Sequence, residues 1–82
     1  MNRTELENKI SKLVAHQVSL SYEDVKLNSN FVHELGFDSL DVVETVMCLE
    51  DEFGIDIPDE DAERLVTVKL VVDYIEKVTA EE

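Results

Sequence analysis

Eighty-two residues make one small domain, which buries only about 60–65% of its unfolded surface and leaves little room for an enclosed catalytic pocket beside a core. Hydrophobic residues, at 44%, exclude a wholly disordered chain. Twenty Asp and Glu against seven Lys and Arg give a formal net charge of −13, which disfavours nucleic acid and anionic lipid as partners and favours basic protein surfaces.

The first helix is expected to start near Asn2 or Thr4, where Thr4 and Glu7 have capping-box spacing. Leu6, Ile10, Leu13, Val14 and Val18 then recur at helical period. Ser19 to Asp38 reads as a long connection, with Asn28, Ser29 and Asn30 as turn formers and Phe31, Val32 and Leu35 as apolar anchors. Long ordered loops in small domains are often functional. Gly36 ends that stretch, and Asp38 and Ser39, both good N-caps, open a second helix that runs to Phe53 with Gly54 just past its end. Ile55–Ile57 is a short extended link closed by Pro58. Asp59 is expected to cap a short third helix reaching about Arg64. Thr67 is expected to cap a last helix through Val78, burying Val68, Val71, Val72, Ile75 and part of Tyr74. The run Val66–Val71 also alternates and is rich in β-branched residues, but no second convincing strand is available to pair with it. The expected fold is all-α: a small antiparallel four-helix bundle, three longer helices plus one short helix, with a long loop between helices 1 and 2, forming a single domain over residues 1–82.

The charge is uneven. No Lys or Arg lies between Lys26 and Arg64, an interval that holds twelve acidic residues. Local i,i+4 ion pairs cannot form there, so self-repulsion is tolerated, which favours a docking face over a merely solubilising one. Cys48 is the only cysteine, so no internal disulfide forms and a reducing, cytoplasmic setting is expected. No apolar run follows Met1, and neither a signal peptide nor a membrane span is expected.

The second helix has two apolar stripes. Val42, Val46, Leu49 and Phe53, with Thr45 at the edge, form an ordinary core face. Leu40, Val43 and Met47 form another, interleaved with Glu44, Glu50 and Asp51. Glu50 falls between the stripes, and a carboxylate inside a core is costly, so the second stripe is expected to be exposed and ringed by acids. Apolar anchors of this kind, one of them an adaptable methionine, suit binding to several partners.

Leu35-Gly36-Phe37-Asp38-Ser39-Leu40-Asp41 is the most specific motif. Asp-Ser-Leu alone is a weak tripeptide; with Leu-Gly before it, an acidic helix after it and this chain length, it is strong. Together with Glu50-Asp51-Glu52-Phe53, Ile57-Pro58-Asp59-Glu60 and Asp73-Tyr74-Ile75, it makes nearly the whole chain resemble the acyl carrier proteins of the free-standing bacterial or organellar fatty-acid-synthesis type.

The resemblance implies that Ser39 accepts 4′-phosphopantetheine from coenzyme A through its hydroxyl. A separate phosphopantetheinyl transferase (holo-carrier synthase) would add it, and the arm's thiol, not Cys48, would hold acyl chains as thioesters. It implies docking on basic patches of fatty-acid-synthesis enzymes and acyltransferases through Asp38, Asp41, Glu44, Glu50, Asp51, Asp59 and Glu63, with Leu40, Val43 and Met47 as apolar contacts. It implies a monomeric carrier with no catalytic residues and no resident metal. Elementary chemistry agrees: a helix N-terminus offers unsatisfied N–H groups and a positive dipole end to a phosphodiester. An apolar acyl chain, at about 0.8 kcal/mol per buried CH₂, is expected to tuck against Val42, Thr45, Val46, Leu49, Leu65 and Val71.

Some positions depart from the family pattern. Phe37 stands where a small residue is usual and is expected to add an apolar contact beside the arm or to hinder some partners; Thr45 replaces leucine and Val42 a frequent threonine, which are expected to reshape the cavity and its preferred chain length; Cys48 replaces alanine as a semi-buried filler. An enzyme using Ser39 with His16 or His33 is disfavoured, because the motif is not Gly-x-Ser-x-Gly. A calcium sensor built on Asp51, Asp56, Asp59 and Asp61 fails the EF-hand spacing, although magnesium or calcium is expected to raise the melting temperature at low ionic strength by relieving repulsion. A specialised carrier for polyketide, peptide or other lipid or secondary-metabolite synthesis shares the same motif and is the alternative reading.

Overall fold

A computed structural model describes residues 2–79 in full and the backbone of residue 80. Among these residues there are four α-helices, a short 3₁₀ turn at Tyr22–Asp24 and no strand. The helices are α1 (Arg3–Gln17), α2 (Ser39–Phe53), α3 (Asp59–Ala62) and α4 (Val68–Ala80). The β-branched run near residues 66–71 is therefore helical from Val68 on, and Thr67 Oγ1 accepts the Leu70 N–H at 3.1 Å, as a helix cap does.

Side-chain pairs fix the helix directions. Lys9 meets Glu52 at 2.6 Å and Gln17 meets Glu44 at 2.7 Å, so α1 and α2 run antiparallel. Arg3, at the start of α1, pairs with Asp73 at 2.8 Å and with Glu76 toward the end of α4, so that pair is antiparallel too. The hydrogen bond to Asp73, with Glu76 adding to it, raises the Arg3 pKa. Burial follows the helical stripes: Leu6, Ile10 and Val14 of α1 meet Val68, Val71, Val72 and Ile75 of α4, with Leu49 of α2 in the same core.

Several expectations need correction. Asn2, not Thr4, caps α1: its side chain accepts the Glu5 N–H at 2.9 Å while Thr4 lies inside the first turn, so no Thr4–Glu7 box forms. Helix α3 ends at Ala62 rather than Arg64, and its cap position is Pro58, with Asp59 already inside the helix. Tighter turn bonds carry the chain on from there to Leu65. Val32 does not anchor the long loop but stands 45% exposed. It follows an Asn30 side chain that accepts the Val32 and His33 N–H groups and turns the chain outward.

The loop is held by other means. Ser29 Oγ accepts the Lys26 N–H at 3.2 Å, Phe31 donates its N–H to Val66 at 2.8 Å, and Lys69 donates to Leu27 at 2.9 Å. Phe31 and Phe37 stack with ring centroids 5.1 Å apart, and the Phe37 N–H returns to the Phe31 carbonyl at 2.9 Å. Gly36 sits between them at φ +76°, a conformation that a side chain would strain. The loop is thus pinned near the start of α4 at Leu27 and Phe31, and Phe37, just before α2, is folded back onto Phe31.

Candidate functional site

Two residues reciprocally close the start of α2. The Asp38 carboxylate accepts the Asp41 N–H at 2.9 Å, and the Asp41 carboxylate accepts the Asp38 N–H at 3.1 Å. This capping box assigns the cap to Asp38 and makes Ser39 the first helical residue, exposed to solvent. A serine at this corner could have been consumed as the cap; here it is not. The box uses the Asp38 and Asp41 donors, and Val42 donates to the Asp38 carbonyl at 3.1 Å. The N–H groups of Ser39 and Leu40 are then the first-turn donors without an intrahelical acceptor, at the positive end of the helix dipole.

A groove of about 590 Å³ opens beside Ser39, between α2 and the chain that leads into α3. Val42, Val46, Ile57 and Ala62 give it apolar walls, with Val43 and Met47 at the outer side and Glu50, Asp59 and Glu63 as acidic neighbours. Of the six residues expected against an acyl chain, Val42 and Val46 line this groove. Thr45, Leu49 and Val71 are packed into the core instead, and Leu65 is buried beside a second groove of about 330 Å³ between α3 and α4. Thr45 is tolerated in the core because its hydroxyl donates to the Asp41 carbonyl at 2.8 Å. Ile57 and Ala62 line the groove without having been singled out from the sequence; the extended Ile55–Pro58 link was the available signal, since it sets Ile55 and Ile57 on one side.

The second stripe of α2 is on the surface: Leu40, Val43 and Met47 are 62%, 53% and 57% exposed. Asp38, Glu44, Asp51, Asp59 and Glu63 are exposed, whereas Asp41 is half-buried in the capping box. Glu50 is also half-buried, and its carboxylate accepts the Ile57 N–H at 2.9 Å, so the charge between the two stripes is satisfied rather than free. Phe37 is not beside the surface serine as expected. It is 3% exposed and belongs to the core, with Phe31 as its partner. Cys48 is exposed rather than semi-buried. His16 and His33 are both exposed. No group of three or more potential ligands converges among the described residues, so Asp51, Asp56, Asp59 and Asp61 do not form a cation cage there.

The family described as the phosphopantetheine attachment site matches residues 8–75, which include the whole of α2 and α3. The chain belongs to that family. A phosphopantetheine-attachment domain is a carrier: it bears 4′-phosphopantetheine covalently and is modified by a phosphopantetheinyl transferase. The residues at the head of α2 fit such a group, with an exposed hydroxyl, two free N–H donors for a phosphate and a groove alongside that has apolar walls. Among the described residues of this carrier, no helix is long and apolar enough to cross a membrane.

Proposed function

We propose that this carrier holds acyl groups as thioesters on a 4′-phosphopantetheine arm at Ser39 and shuttles them among enzymes of fatty-acid synthesis. The observation that carries the reading is the division of labour at the head of α2: Asp38 and Asp41 cap the helix, leaving the exposed Ser39 hydroxyl to react. That hydroxyl would lose its proton and attack the pyrophosphate of coenzyme A at the phosphorus nearer the pantetheine, breaking the P–O–P bond and releasing 3′,5′-ADP, and the Ser39 and Leu40 N–H groups would be available to the resulting phosphodiester. The bound arm supplies a thiol at the end of a flexible tether. Apolar walls from Val42, Val46, Ile57 and Ala62 favour an acyl cargo over a polar aminoacyl one.

Delivery would depend on the surface of α2. Leu40, Val43 and Met47 supply apolar anchors, and Asp38, Asp41, Glu44, Asp51, Asp59 and Glu63 supply the charges that meet basic patches on fatty-acid-synthesis enzymes, acyltransferases and the transferase itself, whereas Glu50 is occupied by the Ile57 N–H. The reading has the chain acting as a cytoplasmic monomer, one carrier domain over residues 1–82, with the chemistry done by its partners.

The test is competitive loading of the arm-bearing protein. Acyltransferases of fatty-acid synthesis offer malonyl and medium-chain acyl groups, and adenylating enzymes of peptide synthesis offer amino acids. Mass spectrometry is expected to find acyl thioesters in excess. Aminoacyl loading, or malonyl loading with no uptake of medium-chain acyl groups, would move the chain to a specialised pathway.

A further inference from the structure

Helix α3 has only four residues, too few to hold itself together. Its place is set by what ties down its two flanks. On one side, Glu50 of α2 accepts two hydrogen bonds from the Ile55–Pro58 link. Its carbonyl accepts the Ile55 N–H at 3.2 Å, and its carboxylate accepts the Ile57 N–H at 2.9 Å. On the other side, the Tyr74 hydroxyl of α4 donates to Asp61 at 3.0 Å. Glu50 and Ile57 both line the groove beside Ser39, and Pro58 leads directly from Ile57 into the α3 wall.

We propose that Glu50 is a positioning residue that sets the width of this groove, and with it the length of apolar chain the groove protects. The inference rests on the reading that an acyl chain lodges there. Its content is separate from docking: the Glu50 carboxylate acts inward, on the Ile57 amide, because half-burial and a backbone hydrogen bond occupy it. Released from that bond, the link keeps one hydrogen bond to α2, through the Ile55 amide, beside the apolar packing of Ile55 and Ile57, and the wall formed by Ile57, Asp59 and Ala62 loosens against Val42 and Val46. Glutamine at position 50 keeps an acceptor oxygen and holds the wall; alanine does not.

Two measurements on Glu50→Ala and Glu50→Gln test this. In the protein without its arm, amide hydrogen exchange at Ile57 is expected to speed up about tenfold in the alanine variant, the order expected from losing one charge-assisted hydrogen bond, and much less in the glutamine variant. In the arm-bearing protein loaded with a series of saturated acyl chains, spontaneous thioester hydrolysis is expected to pass through a minimum at one length. Glu50→Ala shifts that minimum to longer chains or flattens it, and Glu50→Gln restores it. Unchanged Ile57 exchange in Glu50→Ala overturns the latch, as does an unchanged length profile in that variant while the parent protein shows a clear minimum. Equal hydrolysis at every length in the parent itself sinks the lodged-chain reading, and this inference with it.

Discussion

Removing the ring at position 37 is the sharpest test of how the head of α2 is held in place. Phe37 is almost fully buried and stacks on Phe31 at 5.1 Å, one residue before the capping Asp38. Truncating a buried phenylalanine to alanine costs about 3–5 kcal/mol. A domain of this length has a total stability of about 4–12 kcal/mol, so Phe37→Ala removes a large share of it. At about 4–8 °C per kcal/mol, the melting temperature is expected to fall by more than about 12 °C. Phe37→Leu keeps most of the volume and forfeits mainly the ring pairing, about 1 kcal/mol, so its loss is about 4–8 °C. Far-UV circular dichroism during thermal and urea unfolding reads both variants. A Phe37→Ala protein melting within about 3 °C of the parent would mean that the ring is not in the core, and the account of the pinned loop would be refuted.

Other outcomes follow from single residues. Ser19 ends α1 at φ +57°, a left-handed conformation that a side chain resists, so Ser19→Gly is expected to gain up to about 1 kcal/mol in urea unfolding. Burial, reinforced by Asp61, raises the Tyr74 pKa. In the window between the ordinary tyrosine value, about 10, and the raised folded value, the folded protein binds more protons than the unfolded one. Stability from Tyr74 is therefore whole below about pH 10 and is lost as pH rises through the folded pKa, and Tyr74→Phe is expected to lose that alkaline slope in pH-dependent melting. Reversing Glu44 or Asp51 to lysine is expected to slow partner turnover severalfold at low salt, with the difference shrinking as the Debye length falls to about 8 Å near 0.15 M. Unchanged kinetics with several partners would leave the acidic face with only a solubilising role.

What the sequence discloses is local. The α1, α2 and α4 stripes, the start of α2 at Asp38 or Ser39, the cap at Thr67 and the stop at Gly54 are all written within one or two helical turns, where period and side-chain chemistry decide the outcome; the choice of Asp38 over Ser39 as cap came with the structure. The exposed stripe of Leu40, Val43 and Met47 was legible for the same reason, since Glu50 separates it from the core stripe. Pairings across longer stretches were hidden. Phe37 looks like a surface neighbour of Ser39 until the turn at Gly36 folds its ring back onto Phe31. The Glu50 carboxylate finds its partner seven residues on, in an extended link without periodicity. Thr45 reads as an edge residue because its pattern does not reveal that the hydroxyl can satisfy itself on the preceding turn. Arg3 clamps α4 from the opposite end of the chain, a pairing that only the antiparallel packing creates.

The carrier role turns on the Ser39 hydroxyl. Intact mass is measured after the purified chain is incubated with coenzyme A, magnesium and a competent phosphopantetheinyl transferase, beside Ser39→Ala under the same conditions. One added phosphopantetheinyl group is expected on the parent protein, mapped to the peptide containing Ser39, and none on a variant that still folds. A folded parent that stays unmodified, or a group mapped to another side chain, would overturn the role of Ser39 as the attachment point.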